Sequence, residues 1–178
     1  MIEVDKRAEL SKNRMYRYRL SRVWSDGPRA TFVMLNPSTA DEHSDDPTLR
    51  RCIGFARHWG LGGLNVVNLY AFRATQPADL WTAADPIGPD NDRYLEDAGA
   101  SGEVLVAAWG MHAKPERVKE VLSIPGFDML TCLRTTKRGH PSHPLYLPSE
   151  LSPTSWPVQG HDLHTASKLI GGSRLSRC

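Results

Sequence analysis

Four short apolar runs, at residues 31–35, 64–69, 104–108 and 127–133, alternate with stretches of helical period. That alternation is the strongest constraint on what this chain can fold into. Strands joined by helices pair in parallel, because each crossover helix must pack back onto the sheet. The helical stretches carry their own punctuation. Asp46-Pro47 sets an N-cap carboxylate before a proline at the first helical position. Leu49, Cys52, Ile53 and Ala56 then recur at helical spacing until Gly60 ends the run. Residues 89–98 form a short acidic helix, and residues 115–122 a third helix with Val118, Val121 and Leu122 inward. The run at 104–108 is nearly all apolar, as expected of a strand covered on both faces. Upstream, residues 16–20 alternate strictly, with Tyr16, Tyr18 and Leu20 on one face and Arg17 and Arg19 on the other. With the turn at 25–28 they read as an antiparallel strand. The expected fold is one three-layer α/β sandwich over residues 14–148, with a four-stranded parallel sheet core and an N-terminal antiparallel strand. Beyond Pro148 the composition turns to Ser, Pro, Gly and His without a period, so 149–178 read as a flexible C-terminal tail.

Bulk properties exclude more than they assign. A chain of 178 residues, 40% hydrophobic and 24% charged, suits one soluble domain. No apolar stretch approaches the ~20 residues of a membrane span, and the first residues lack a signal-peptide core. A cytoplasmic protein with no membrane partner is expected. Cys52, Cys132 and Cys178 include no CxxC, which excludes a four-cysteine cluster within the chain. Cys52 and Cys132 sit in apolar patterns and read as buried, inert thiols. A net charge of +2 does not by itself argue for nucleic acid. Its distribution is more suggestive: Arg14, Arg17, Arg19 and Arg22 cluster early, Arg50, Arg51 and Arg57 follow the first strand, and Arg134, Lys137 and Arg138 follow the last. Such groups contact phosphate or form a solvated face.

Each predicted strand runs into a polar string. The first ends at Asn36-Pro37-Ser38-Thr39 and the second at Asn68, followed by Arg73. The third ends at Trp109-Gly110-Met111-His112, and the fourth leads to His140-Pro141-Ser142-His143-Pro144-Leu145. Loops at the carboxyl ends of adjacent parallel strands converge on one crevice, where α/β proteins bind ligands. Asn36 either caps a turn before Pro37 or faces a ligand. Asp46 either caps its helix or serves as the carboxylate that activates water. Asn68 ends an apolar strand, and a buried amide needs partners. Arg73 suits a helix carboxylate or a phosphate, and Ser38 and Thr39 could cradle phosphate at a loop-to-helix transition. Trp109 reads as core or cleft wall, and His112 as a helix start or a ligand contact. His140 and His143 lie three apart with no third ligand nearby, so no metal is expected.

These four strings, in this order at strand ends, resemble the uracil-DNA glycosylase superfamily across about residues 31–147. Trp109-Gly110-Met111-His112-Ala113 is similar to that superfamily's third string. The chain looks closer still to an uncharacterised family of small bacterial and phage proteins, through Asn36-Pro37-Ser38-Thr39-Ala40-Asp41 and His143-Pro144-Leu145-Tyr146-Leu147. That family has no activity to carry over. The superfamily resemblance implies hydrolysis of an N-glycosidic bond in a flipped-out nucleotide. It implies that Asn36, with Asp46, holds the attacking water and that Asn68 reads the base edge. His143, or alternatively His140, would donate to the leaving base, and Leu145 would wedge into the stack. Pro37, Ser38, Thr39, Arg73, Trp109 and His112 would line the substrate site. No metal or cofactor is implied; the expected partner is a nucleic acid or nucleotide. Two alternatives stand beside it. One is a non-catalytic nucleic-acid or nucleotide-binding module with the same pocket. It is favoured by Met34, where the glycosylases prefer Gly, and by the lack of a Tyr after Pro37. The other is a metal-dependent enzyme acting on free nucleotides, with acidic residues 41–46 facing a metal-bound phosphate.

Overall fold

The computed structural model describes residues 4–156. Its sheet is mixed and seven-stranded, in the order β1-β2-β4-β3-β5-β6-β7. The strands are β1 (Asp5–Leu10), β2 (Arg17–Val23), β3 (Arg29–Met34), β4 (Gly63–Asn68), β5 (Val104–Ala107), β6 (Thr131–Cys132) and β7 (Thr154–Ser155). Central β3 is parallel to both neighbours, β4 and β5, and β5 is parallel to β6. Antiparallel strands finish both edges, β1 and β2 beside β4 and β7 beside β6. The helices are α1 (Pro47–His58), α2 (Pro77–Thr82), α3 (Asn91–Ala100) and α4 (Pro115–Leu122).

Alternation along the strands divides the apolar side chains between two clusters. Phe32, Met34, Leu64, Val66 and Val106 meet Leu49, Cys52, Phe55 and Ala56 of α1 on one face. Val33, Val67, Leu105 and Ala107 meet Leu80, Leu95, Val118 and Val121 of α2, α3 and α4 on the other. The chain is thus α/β, with helices covering both faces.

The sequence expectations need correction at several points. Residues 127–133 do not form one strand: Phe127–Met129 make a 3-10 turn that buries Phe127, and only Thr131–Cys132 pair with β5. β1 lies before the expected domain start. Residues 149–156 are packed, since Leu151 joins the α1-side cluster and Trp156 the other. The rest of the expected tail, 157–178, including Cys178, lies outside the described residues. Cys52 and Cys132 are buried free thiols, and burial raises the pKa of both.

The face assignment in β2 also changes. Glu9 pairs with Arg19 but Leu10 pairs with Arg17, leaving Tyr18 as the extra residue of a β-bulge. The bulge shifts the alternation by one position. Arg17 therefore shares a face with Leu20, while Tyr18 and Arg19 both lie against the Tyr94 ring on the other. Arg22, two residues beyond Leu20, is fully buried at 0% exposure. Its guanidinium donates to the Asp45 carboxylate at 2.8 Å and to the carbonyls of Asp41 at 2.6 Å and Ser21 at 2.8 Å. One buried cation thus ties the loop before α1 to the sheet. Arg22→Met is expected to lower stability by roughly 1–3 kcal/mol, because it leaves two carbonyls unpaired and Asp45 with Lys6 alone. A lower urea midpoint at unchanged slope would register that loss.

Candidate functional site

The carboxyl ends of β3 and β4 lie side by side, Met34 pairing with Asn68. The start of β2 runs antiparallel past them, with the Arg17 N–H donating to the Ala71 carbonyl at 3.0 Å. α1 begins above the same spot. Between them is a small cavity of about 70 Å³. Arg17, Asn36, Ser38, Asp46, Asn68 and His143 line it, over a floor that includes Leu20, Met34, Leu49 and Val66. Five of these six polar residues were singled out from sequence. Arg17 was not.

Asn68 follows Val66 on the α1 face and is 1% exposed. Among the described residues neither its Nδ2 nor its Oδ1 has a hydrogen-bond partner. Buried amides are almost always satisfied, so the partner of this one comes from whatever fills the cavity. Asn36 is organised differently. Its Nδ2 donates to the carbonyls of Pro37, at 3.0 Å, and Ala74, at 2.8 Å. That fixes the amide orientation and leaves Oδ1 as an acceptor on the cavity wall. The buried Pro37 also accepts from the Ala74 N–H at 3.0 Å, so the Asn36-Pro37 turn is pinned from both sides.

Asp46 is the α1 N-cap, its Oδ1 accepting from the Leu49 N–H at 2.7 Å, and it also faces the cavity. The cap role and the cavity role therefore coexist. Its acidic neighbours are turned to other work. Glu42 pairs with Arg14 at 3.1 Å, Asp45 with Arg22 at 2.7 Å, and Asp41 accepts the backbone N–H groups of His43 and Ser44. Asp46 alone of residues 41–46 lines the cavity.

His143 caps the 3-10 turn Pro144–Tyr146, its Nδ1 accepting from the Leu145 N–H at 3.4 Å. With Nδ1 as acceptor, the neutral ring carries its proton on Nε2. The loop is tied down by Arg51 of α1, which donates to the Leu147 carbonyl, and by the Gly110 N–H, which donates to the Pro141 carbonyl at 3.0 Å. Desolvation lowers the His143 pKa below its usual 6.5, while nearby Asp46 pulls it upward. Arg17 is 4% exposed and makes one side-chain hydrogen bond, from Nη1 to the Ala40 carbonyl. Burial lowers its pKa to about 10, against the opposing field of Asp46, so it stays charged at neutral pH.

The remaining sequence candidates lie elsewhere. Thr39 and Arg73 line an adjoining open groove of about 360 Å³ with Arg14 and Phe72, and Ser38 borders both spaces. Arg73 donates to the Arg14 carbonyl at 3.4 Å. His140 sits in the turn before the site, where its N–H bonds Thr136 Oγ1, and it does not line the cavity. Trp109 is buried in the opposite-face cluster, edge-on to Trp156 at 5.2 Å. His112 is exposed away from the cavity, and Leu145 is half-buried. The side chain that projects from that turn is Tyr146, 90% exposed.

Residues 17–145 match the family described as Protein of unknown function (DUF1643). The chain belongs to that family. No curated protein and no solved structure matches it. The DUF1643 match begins at Arg17 and ends at Leu145, so it spans every polar residue lining the cavity.

The depressed imidazole makes folding proton-linked. Just below pH 6.5 the unfolded chain binds more protons at His143 than the folded one, so this group lowers stability as pH falls through that range. In an NMR titration the His143 ring should titrate below 6.5, and Asp46→Asn should move its midpoint further down.

Proposed function

We propose that this cavity recognises a nucleobase through Asn68 and hydrolyses the N-glycosidic bond that holds it. The observation that carries the reading is the buried Asn68 amide, neither of whose polar atoms has a partner among the described residues. One donor and one acceptor, fixed side by side, complement the O=C–N–H edge of a base. The resemblance of the strand-end strings to the uracil-DNA glycosylase superfamily supports the same assignment, including a glycosylase-like arrangement of the central strands.

The chemistry then follows from the wall residues. Asn36 Oδ1 accepts a hydrogen bond from the attacking water, and Asp46 takes one of its protons as the oxygen adds to C1′. The C1′–N bond breaks and its electron pair leaves with the base. The His143 Nε2–H donates a hydrogen bond to the base oxygen as charge builds there; the base leaves as the anion and takes its proton from solvent, to which Asp46 releases the one it gained. Arg73 and Phe72, in the adjoining groove, suit the phosphate and sugar of the same nucleotide. With Glu42 and Asp45 engaged by arginines, a metal-bound phosphate has little to hold it.

Met34 supports a second reading. It lines the cavity where a glycine would leave room, which suits a module that binds the base without cleaving the bond. Base release from single- and double-stranded oligonucleotides carrying uracil or hypoxanthine separates the two. Asp46→Asn preserves the helix cap, since Asn caps as well as Asp. It is expected to slow release by roughly 10²–10⁴-fold with binding intact, whereas Asn68→Ala should weaken binding itself. Binding without release by the wild-type protein would replace the hydrolase with the module.

A further inference from the structure

Arg17 brings to the cavity a positive charge that the reading above leaves unused. Its guanidinium is buried, and among the described residues its Nε–H has no partner and its only side-chain hydrogen bond is from Nη1 to Ala40. The edge formed by Nε and Nη2 is the edge that grips planar oxyanions in two parallel hydrogen bonds. Among the described residues no carboxylate occupies that edge. Asp46 and Asp41 favour the cation from a distance, and Arg22 and Arg73 oppose it. A buried charge without direct compensation is costly. Here the β-bulge in β2 turns Arg17 into the core against the phase of its own strand. Asp46 shares the cavity, so one delocalised negative charge leaves a net charge of about −1 there, whereas a doubly charged group would leave about −2.

We propose that Arg17 holds a single, delocalised negative charge on a planar, oxygen-bearing group of the ligand. The identity of that group rests on the N-glycosidic reading: it is the departing base, whose ring oxygen takes up the electron pair released as the C1′–N bond breaks. Arg17 gives up no proton; it accommodates the charge until the base takes a proton from solvent. The anion preference itself does not depend on that reading.

Formate and formamide are planar, nearly equal in size and different in charge. The full-length protein, labelled with ¹⁵N at arginine Nε, is titrated with each, and binding is followed by the Arg17 Nε–H resonance and by Tm. Formate should shift that resonance and raise Tm, with formamide weaker by about tenfold or more. Arg17→Lys should keep the preference for formate, and Arg17→Gln should bind the two alike. An unmoved Arg17 resonance at high formate, equal binding of the two probes, or a preference that survives in Arg17→Gln would overturn the proposal. Tighter binding of inorganic phosphate than of formate would overturn the single-charge assignment. Base release with a silent Arg17 would remove this role and leave the hydrolase. Formate preference without base release would leave the anion site and remove the hydrolase.

Discussion

The parallel register of β3 with β4 is the constraint on which the site depends. Because Met34 stands opposite Asn68, the two strands end at the same level, and the Asn36 turn sits beside the Asn68 side chain. The hydrogen bonds continue past the strand ends: the Leu69 N–H donates to Met34 at 2.8 Å and the Tyr70 N–H to Leu35 at 3.0 Å. A slip of one residue would turn Asn68 to the opposite face and put an apolar neighbour in the cavity. The same register sets the height of α1, whose Leu49 and Cys52 pack on Phe32 and Val66 through the α1-side cluster. Asp46 is carried into place by that packing.

Around this frame the charges are arranged in two groups. Arg14, Arg19 and Arg22 have carboxylate partners, and they hold the acidic loop and the edge strands to the sheet. Among the described residues Arg17 has none, though it is nearly as deeply buried as Arg22. On the far face Arg117 is equally buried, but it is matched by Asp92 and Glu120 and by the Leu69 carbonyl. Burial is therefore common to several arginines, and lack of compensation sets Arg17 apart. It lies in the cavity where Asn68 is also unmatched. In the proposed reading these are the groups that meet the ligand.

Much of this was legible in the sequence. The helix at residues 115–122 and the Asp46 cap are governed by local rules, and Asn36, Asn68 and His143 follow from where apolar runs stop. The parts that were not legible depend on contacts distant in the chain. The bulge at Tyr18 arises from pairing with β1, and alternation within residues 16–20 gives no hint of it. β7 is two residues long and exists because β6 offers an edge. Residues 127–133 looked like one apolar strand, but Gly126 has φ 92° and the chain after it turns before it extends. Trp109 takes the core alternative of its sequence reading, in the opposite-face cluster, because proximity to a functional string says nothing about which way a side chain faces.

The cavity takes Arg17 from the start of the domain and His143 from near its end, with Asn36, Asp46 and Asn68 between. A chain emerging from the ribosome therefore exposes the complete site only after nearly all of the fold has been made. Until then Arg17 lacks the His143 side of its enclosure, and a nascent chain released early would carry an open, solvated arginine with no pocket around it. Completion of the site thus reports on completion of the domain, so any ligand that needs all of these groups discriminates finished molecules from truncated ones.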